Sequence, residues 1–166
     1  MGSFLVYCMT MTTATFQKII YDYYRHHRRS FPWRTTRDPY RIFVSEIMLQ
    51  QTQAPRVVGK YKLFIKTFPN FTRLARASLG EIYTVWQGLG YNRRALQLKK
   101  AAEIVVKKFK GKLPRSVEQL DSLPGIGLAT AASIAAFAFN QPTVFIETNI
   151  RSVFIRSCTN QFRSRT

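Results

Sequence analysis

Acidic residues are scarce in this chain: 8 Asp and Glu stand against 26 Lys and Arg, a formal net charge of +18 over 166 residues. A field of that sign disfavours cationic ligands and attracts polyanions, with nucleic acid the first class of partner to consider and an anionic membrane surface the second. Long hydrophobic runs are also missing. No apolar stretch reaches the roughly 18 residues of a spanning helix, and the first residues lack the basic flank, apolar core and small-residue cleavage site of a signal peptide, so an intracellular, soluble protein is expected. Cysteine is nearly absent. Cys8 and Cys158 are too few for a four-thiolate metal site and too far apart to imply a disulfide, which leaves two reduced thiols and no metal as the expectation. His26 and His27 are adjacent and therefore not on one helical face, and beside Arg28 and Arg29 they read as a solvated pair. No internal repeat or low-complexity segment occurs. At this length a single domain buries roughly 70% of its unfolded surface, and two ordinary domains do not fit.

What the chain does contain is helical periodicity, and an all-α fold is expected. Residues 1–13 carry no usable period and read as a tail, in which Met9 or Met11 is an alternative start; residues 14–166 read as one domain. Phe16, Ile19, Ile20 and Tyr23 recur at helical spacing from Ala14 to about Arg28, and Ser30-Phe31-Pro32-Trp33 breaks the pattern. Helices are predicted at about 40–50, at 55–67 with Pro55 in the first turn, and over a shorter span at 79–86. Gly88-Leu89-Gly90 interrupts. Ala95, Leu98, Ala102, Val105, Val106 and Phe109 then mark an amphipathic helix ending near Gly111. A short apolar run, Thr143 to Ile146, precedes a helix with Ile150, Val153 and Phe154 inside, which Thr148 or Asn149 can cap; residues 160–166 look like a frayed end.

Three places in this pattern carry candidate chemistry. Ile42, Glu46 and Leu49 share one helical face with Phe43 and Gln50 beside them, which puts a carboxylate on the apolar side of its helix. Burial disfavours the charged form and raises the pKa, so Glu46 is a candidate general acid; an outward-turned or arginine-paired glutamate is the alternative. The second place is the segment 116–139, where Pro124-Gly125-Ile126-Gly127 joins two helices and a small-residue helix follows. Glycines there permit close backbone approach, and the amides opening the second helix suit a phosphate, although a tightly packed ordinary turn against Ala131, Ala132, Ala135 and Ala136 gives the same pattern. The third is Glu147, near the positive end of a helix dipole, which favours its ionised form; a plain first-turn acid is the commoner occupant of such a position.

Taken together, Phe31-Pro32-Trp33-Arg34, Ser45-Glu46-Ile47-Met48-Leu49-Gln50-Gln51-Thr52-Gln53, Gly88-Leu89-Gly90-Tyr91, Leu123-Pro124-Gly125-Ile126-Gly127 and Glu147-Thr148-Asn149-Ile150-Arg151 resemble the A/G-specific adenine DNA glycosylases of the helix-hairpin-helix superfamily. The likeness is colinear from about Arg25 to Arg156. Its specific part is Gln50-Gln51-Thr52, a segment that reads differently in thymine-glycol glycosylases of the endonuclease III type, whereas the hairpin marks only the superfamily. The resemblance implies a six-helix-barrel glycosylase fold acting as a monomer on double-stranded DNA. The implied reaction is hydrolysis of the N-glycosidic bond of adenine mispaired with 8-oxoguanine or guanine, leaving an abasic site, with the adenine taken out of the stack to be reached. Carried over by position, Glu46 protonates the departing base, Glu147 faces the sugar and Asn149 helps to hold the catalytic region. Arg29, Phe31, Trp33 and Arg34 line the adenine pocket; for Trp33 and Tyr91, core packing is the alternative. Gln51 and Tyr91 wedge into the duplex, Thr52 and Leu89 lie close to the opposite base, and Gly125, Ile126, Gly127 and Thr130 contact DNA at the hairpin.

Three departures from the family pattern qualify that likeness. Glu147 stands where aspartate is usual, adding roughly 1.5 Å of reach. Ala129 occupies the place of the lysine of bifunctional relatives, and without an amine a Schiff-base lyase is not expected, so the enzyme reads as monofunctional. The chain also ends soon after Glu147, without the family's cluster-binding cysteines, the helices that carry them or the C-terminal domain that reads 8-oxoguanine. No iron-sulfur cluster is therefore expected, and the chain reads as a minimal member or a truncated product. Two other readings stay open: a thymine or uracil mismatch glycosylase on the same scaffold, and a non-catalytic DNA-binding remnant.

Overall fold

The structure is a computed structural model that describes residues 12–152. Cys8, Cys158, Met9, Met11, Val153, Phe154 and residues 160–166 lie outside the described residues. Every regular element among those described is helical: α1 (Thr13–His27), a 3-10 turn (Pro32–Arg34), α2 (Pro39–Leu49), α3 (Ala54–Thr67), α4 (Phe71–Arg76), α5 (Leu79–Trp86), α6 (Asn92–Phe109), α7 (Val117–Asp121) and α8 (Leu128–Phe139). The chain divides into two compact units, Phe31–Phe145 and a flanking unit made of Met1–Ser30 with Ile146–Thr166. None of the helices is long and apolar enough to cross a membrane.

In the flanking unit, the Thr12 hydroxyl caps α1 by accepting from the Thr15 amide. Phe16 and Ile19 are half-buried while Ile20 and Tyr23 are exposed, so only part of the predicted apolar stripe is covered. The His26 and His27 rings hydrogen-bond to the carbonyls of Asp22 and Tyr23, and Tyr23 stacks on His27 at 4.1 Å, which occupies the pair within its own helix. The second segment corrects one expectation. Thr148 and Asn149 do not cap the helical stretch described over residues 148–152; both already lie within it, and Glu147 occupies the capping position, its carbonyl accepting from the Arg151 amide at 2.8 Å.

In the central unit α2 is enclosed by the 3-10 turn, α3, α6 and α8. Asp38 accepts from the Arg41 amide at 2.9 Å and Pro39 supplies a preset φ at the first position, so the start of α2 is well defined. The sequence suggested one apolar face, but Ile42, Phe43, Val44, Ser45, Ile47 and Met48 are all buried. Enclosure by neighbours on several sides, rather than by one sheet or helix, removes the amphipathic pattern. Around this axis Phe64, Phe68, Leu74, Ile82, Trp86, Leu98, Leu120 and Ile134 complete the core. The helix α4 escapes a periodicity argument because six residues make fewer than two turns. Its signals are the Asn70 cap, which accepts from the Arg73 amide at 2.9 Å, and the buried pair Phe71 and Leu74 one turn apart.

The helices α2 and α6 are joined by a buried cation. Arg94 in the first turn of α6 donates through Nη1 to the carbonyls of Ile47, Met48 and Gln50, and through Nη2 to Thr52 Oγ1 at 3.0 Å and to the carbonyls of Leu89 and Gly90, both at 3.2 Å. The guanidinium thus collects the last carbonyls of α2, where the helix dipole is negative, together with those of the loop before α6. Its ring partners are Trp86 and Tyr91, with Cζ 5.6 and 5.3 Å from the two centroids. Burial lowers the Arg94 pKa from its ordinary value, and the clustered oxygens keep the charged form in place.

Three tight turns share one geometry. The amides of Thr52, Leu89 and Ile126 bond back to the carbonyls of Leu49, Trp86 and Leu123, and the third residue of each turn has positive φ: Gln51 at 53°, Gly88 at 84° and Gly125 at 78°. These are type II turns, in which that position favours glycine. Gly125 is doubly constrained, because a Cβ built there would stand 2.7 Å from Gln97 Cβ.

Two stability outcomes follow from these contacts. Arg94→Ala should lose about 3 kcal/mol or more, since several buried carbonyls lose a charged donor. Arg94→Lys should recover little of that loss, because one ammonium cannot reproduce a planar fork. Urea denaturation of the purified variants reads both, and a lysine variant as stable as the parent would remove the fork geometry from the account. Gly125→Ala should cost on the order of 2–3 kcal/mol in the same assay, from positive φ plus a clash that Gln97 Cβ, fixed to the α6 backbone, cannot relieve.

Candidate active site

Glu46 sits in the third turn of α2, half-buried between fully buried Ser45 and Ile47. Its Oε2 accepts a hydrogen bond of 2.7 Å from Ser133 Oγ on α8. Ser133 is itself buried, and the same oxygen lies 2.9 Å from the Thr130 carbonyl one turn earlier. The two helices approach closely because α8 presents Ala131, Ala132 and Ala135 on its buried side. Sequence reasoning missed Ser133. The available signal was a lone hydroxyl among small apolar residues on a helix otherwise fit only for packing.

Gln50 is the second residue the sequence reading left without a role. As the C-cap of α2 its side-chain amide donates to the Gly125 carbonyl at 3.1 Å and to Thr130 Oγ1 at 3.3 Å. One amide therefore ties the end of the helix bearing Glu46 to the glycine turn of the hairpin and to the first turn of its second helix. Gly127 caps α8 with no side-chain bond to its first amides, Leu128 is 68% exposed and Ala129 is exposed, so the amide-bearing end of α8 faces solvent. Ile126 turns inward and is buried.

The predicted wedge residues emerge on either side of Arg94. Gln51 and Tyr91 are both exposed, Tyr91 at 62%, and both adopt left-handed backbone conformations, with φ of 53° and 50°. Thr52 lies between them as an acceptor for Arg94, whereas Leu89 is buried and reaches the cluster only through its carbonyl. The predicted base-pocket residues Phe31 and Trp33 stack at 5.0 Å, with Trp33 edge-on to Tyr61 at 5.4 Å and the Arg34 guanidinium 5.6 Å from the Phe31 centroid. Both aromatic side chains are buried, while Arg34 is exposed. Arg29, Glu147 and Asn149 belong to the flanking unit and are exposed there. Among the described residues, no three His, Cys, Asp or Glu side chains gather as a metal site.

A half-buried carboxyl beside a hydroxyl, near a solvent-facing helix N-terminus and the exposed side chains of Gln51 and Tyr91, is an arrangement that, when protonated, can deliver a proton to a group on an anionic ligand. The chain matches the family model described as HhH-GPD superfamily base excision DNA repair protein over residues 44–161. It is 43% identical over 147 residues to an adenine DNA glycosylase of Buchnera aphidicola subsp. Baizongia pistaciae (strain Bp), covering 88% of this chain and 42% of that protein. Against the adenine DNA glycosylase of Mus musculus the identity is 37% over 152 residues, covering 86% and 30%. Among solved structures, a thermostable thymine-DNA glycosylase superposes with a TM-score of 0.80 at 33% identity, covering 85% of this chain and 65% of that one. The chain thus spans less than half the length of these two curated relatives. With a helical fold, a glycine hairpin and a family match over most of its length, the chain belongs to the HhH-GPD superfamily of base excision DNA repair proteins.

Proposed function

We propose that this chain is a monofunctional DNA glycosylase that hydrolyses the N-glycosidic bond of adenine mispaired with 8-oxoguanine or guanine and leaves an abasic site. The observation that carries the reading is Glu46, a half-buried carboxyl held by Ser133 one turn from the Gln50-Gln51-Thr52 turn. The adenine preference is supported by relatives of that name at 43% and 37% identity. Glu46 donates its proton to a ring nitrogen of the departing adenine, which converts a poor anionic leaving group into a neutral one. The sugar acquires positive charge as the bond breaks, and Glu147 is assigned its stabilisation on the strength of the Glu147-Thr148-Asn149 motif, in the manner of paired carboxylates in glycoside hydrolysis.

DNA is bound chiefly through its backbone: a net charge of +18 supplies the attraction, and the exposed amides at the start of α8 suit one phosphate. Gln51 and Tyr91 fill the gap left by an extruded nucleotide. Ala129 offers no amine for an imine, so water is the nucleophile and strand cleavage awaits alkali. The two cysteines in the sequence do not fit a four-thiolate cluster, and no step is assigned to one. The protein acts as a monomer on intracellular DNA.

The similarity to a thymine-DNA glycosylase favours one second reading, excision of thymine or uracil opposite guanine. Duplexes carrying A opposite 8-oxoguanine, A opposite G, T opposite G and U opposite G, treated with alkali after incubation, separate the two. Nicking should be confined to the adenine strands. Glu46→Gln should slow adenine release at least about a hundredfold in single turnover with DNA binding retained. An unchanged rate would remove Glu46 as the acid.

A second variant tests the wedge. Gln51→Gly places the favoured residue in the type II turn, so stability should stay level or rise by up to about 1 kcal/mol. Base release should nevertheless fall, because the inserted side chain is gone. Parent-like release by this variant would show that Gln51 has no part in extrusion.

A further inference from the structure

We propose that Ser133 is a positioning residue whose hydroxyl follows the proton of Glu46, a role that rests on the reading of Glu46 as the acid. Ser133 is 1% exposed on the face of α8 that packs against α2. A hydroxyl at such a place is destabilising unless its hydrogen-bonding capacity is used, and alanine, which occupies positions 131, 132, 135 and 136 of this helix, would pack there without that cost. Its oxygen stands 2.7 Å from Glu46 Oε2 and 2.9 Å from the Thr130 carbonyl oxygen.

One hydroxyl hydrogen serves one of these acceptors at a time, while the oxygen can also accept. With Glu46 protonated on Oε1, the acidic proton is left for the base, Oε2 is only a weak acceptor and the serine O–H points at the Thr130 carbonyl. When the Glu46 proton passes to the base nitrogen, a carboxylate remains. Rotation of the serine O–H from Thr130 to Oε2 supplies that carboxylate with a donor. No heavy atom moves, and no bond to Ser133 forms or breaks. The frame for this rotor is fixed at both ends, because Gln50 bonds Thr130 Oγ1 and the Gly125 carbonyl while Arg94 holds the end of α2. Ser133 thus favours the product side of the proton transfer without touching the substrate.

The experiment compares the parent, Ser133→Ala and Ser133→Thr in two measurements. Single-turnover release of adenine from a duplex with A opposite 8-oxoguanine should fall about tenfold in Ser133→Ala, the scale of one lost hydrogen bond to a charged group, with the DNA Kd within twofold of the parent. Ser133→Thr, which keeps the hydroxyl, should return to within threefold. In the free protein, the carbon-13 resonance of the Glu46 carboxyl, assigned through Glu46→Gln, should move in Ser133→Ala and return in Ser133→Thr. Thermal melting checks that each variant is folded; if the threonine methyl lowers the melting temperature, near-isosteric Ser133→Cys replaces it and should fall between serine and alanine. A parent-like rate in Ser133→Ala overturns the proposal, as does a folded Ser133→Thr as slow as the alanine variant. Should the parent release no base from either adenine mispair, the functional reading fails and the carboxyl resonance alone decides: an unmoved signal in Ser133→Ala removes the contact, and a moved one that threonine restores retains it.

Discussion

Arg94 is the interaction on which the geometry of the central unit depends. A buried guanidinium is costly unless its donors are met, and here the last carbonyls of α2 and those of the loop before α6 meet them. The arrangement resolves two problems together. Helix α2 ends inside the protein, where orphan carbonyls would otherwise lack donors, and the cation finds its compensation in backbone dipoles. Nε is the exception, buried and without a hydrogen-bond partner among the described residues. Because the acceptors come from two separate stretches, the position of one cannot change without disturbing the other.

That rigidity accounts for two backbone conformations that are otherwise unfavourable. Left-handed φ costs a non-glycine residue roughly 1–2 kcal/mol. Lys110 and Asn140 adopt it at the ends of α6 and α8, where such a residue lets the chain leave a helix. Gln51 and Tyr91 adopt it beside acceptors of Arg94, and both present their side chains to solvent. The turns at Gly88 and Gly125 use glycine in the same slot, so the third turn keeps a side chain at an energetic disadvantage. Strain of this kind persists where surrounding contacts over-determine the backbone, and it is concentrated at sites that work on a ligand.

The sequence disclosed elements with long apolar periods or punctuation. Helix α6 was readable from Ala95 to Phe109, and the hairpin from Pro124, Gly125 and Gly127, because each uses residues whose backbone preferences are strong. Helix α4 was not, being too short for a period. That α2 is buried was readable from its apolar residues, but no single face of it was, because enclosure by several neighbours erases the polar stripe that defines a face. Motif residues Glu46, Gln51, Tyr91 and Gly125 were identifiable individually, whereas the contacts made by Gln50, Arg94 and Ser133 were not. Each of those three joins positions 42 to 87 residues apart, and no local pattern encodes such a pairing. Exposed arginines elsewhere in so basic a chain also concealed Arg94, which is turned inward.

Scarcity of acid gives the remaining argument its force. With 8 Asp and Glu in 166 residues, the use made of each can be followed. Asp38 caps α2, Glu81 completes the capping box of α5 and pairs with Arg73, Asp22 pairs with Arg25, and Glu103 pairs with Lys99. Glu118 opens α7 in its first turn, Glu147 precedes a helix, and Asp121 is exposed at the end of α7. Glu46 differs from these seven in being carried on a helix enclosed by the core and in reaching a buried hydroxyl on another helix. Helix packing alone would favour an apolar residue at that position, since leucine would fill the space without desolvating a carboxyl. Keeping an acid there, with a buried serine to meet it, is the arrangement that the proposed proton donor needs, and the Arg94 and Gln50 contacts fix the end of α2 close to it.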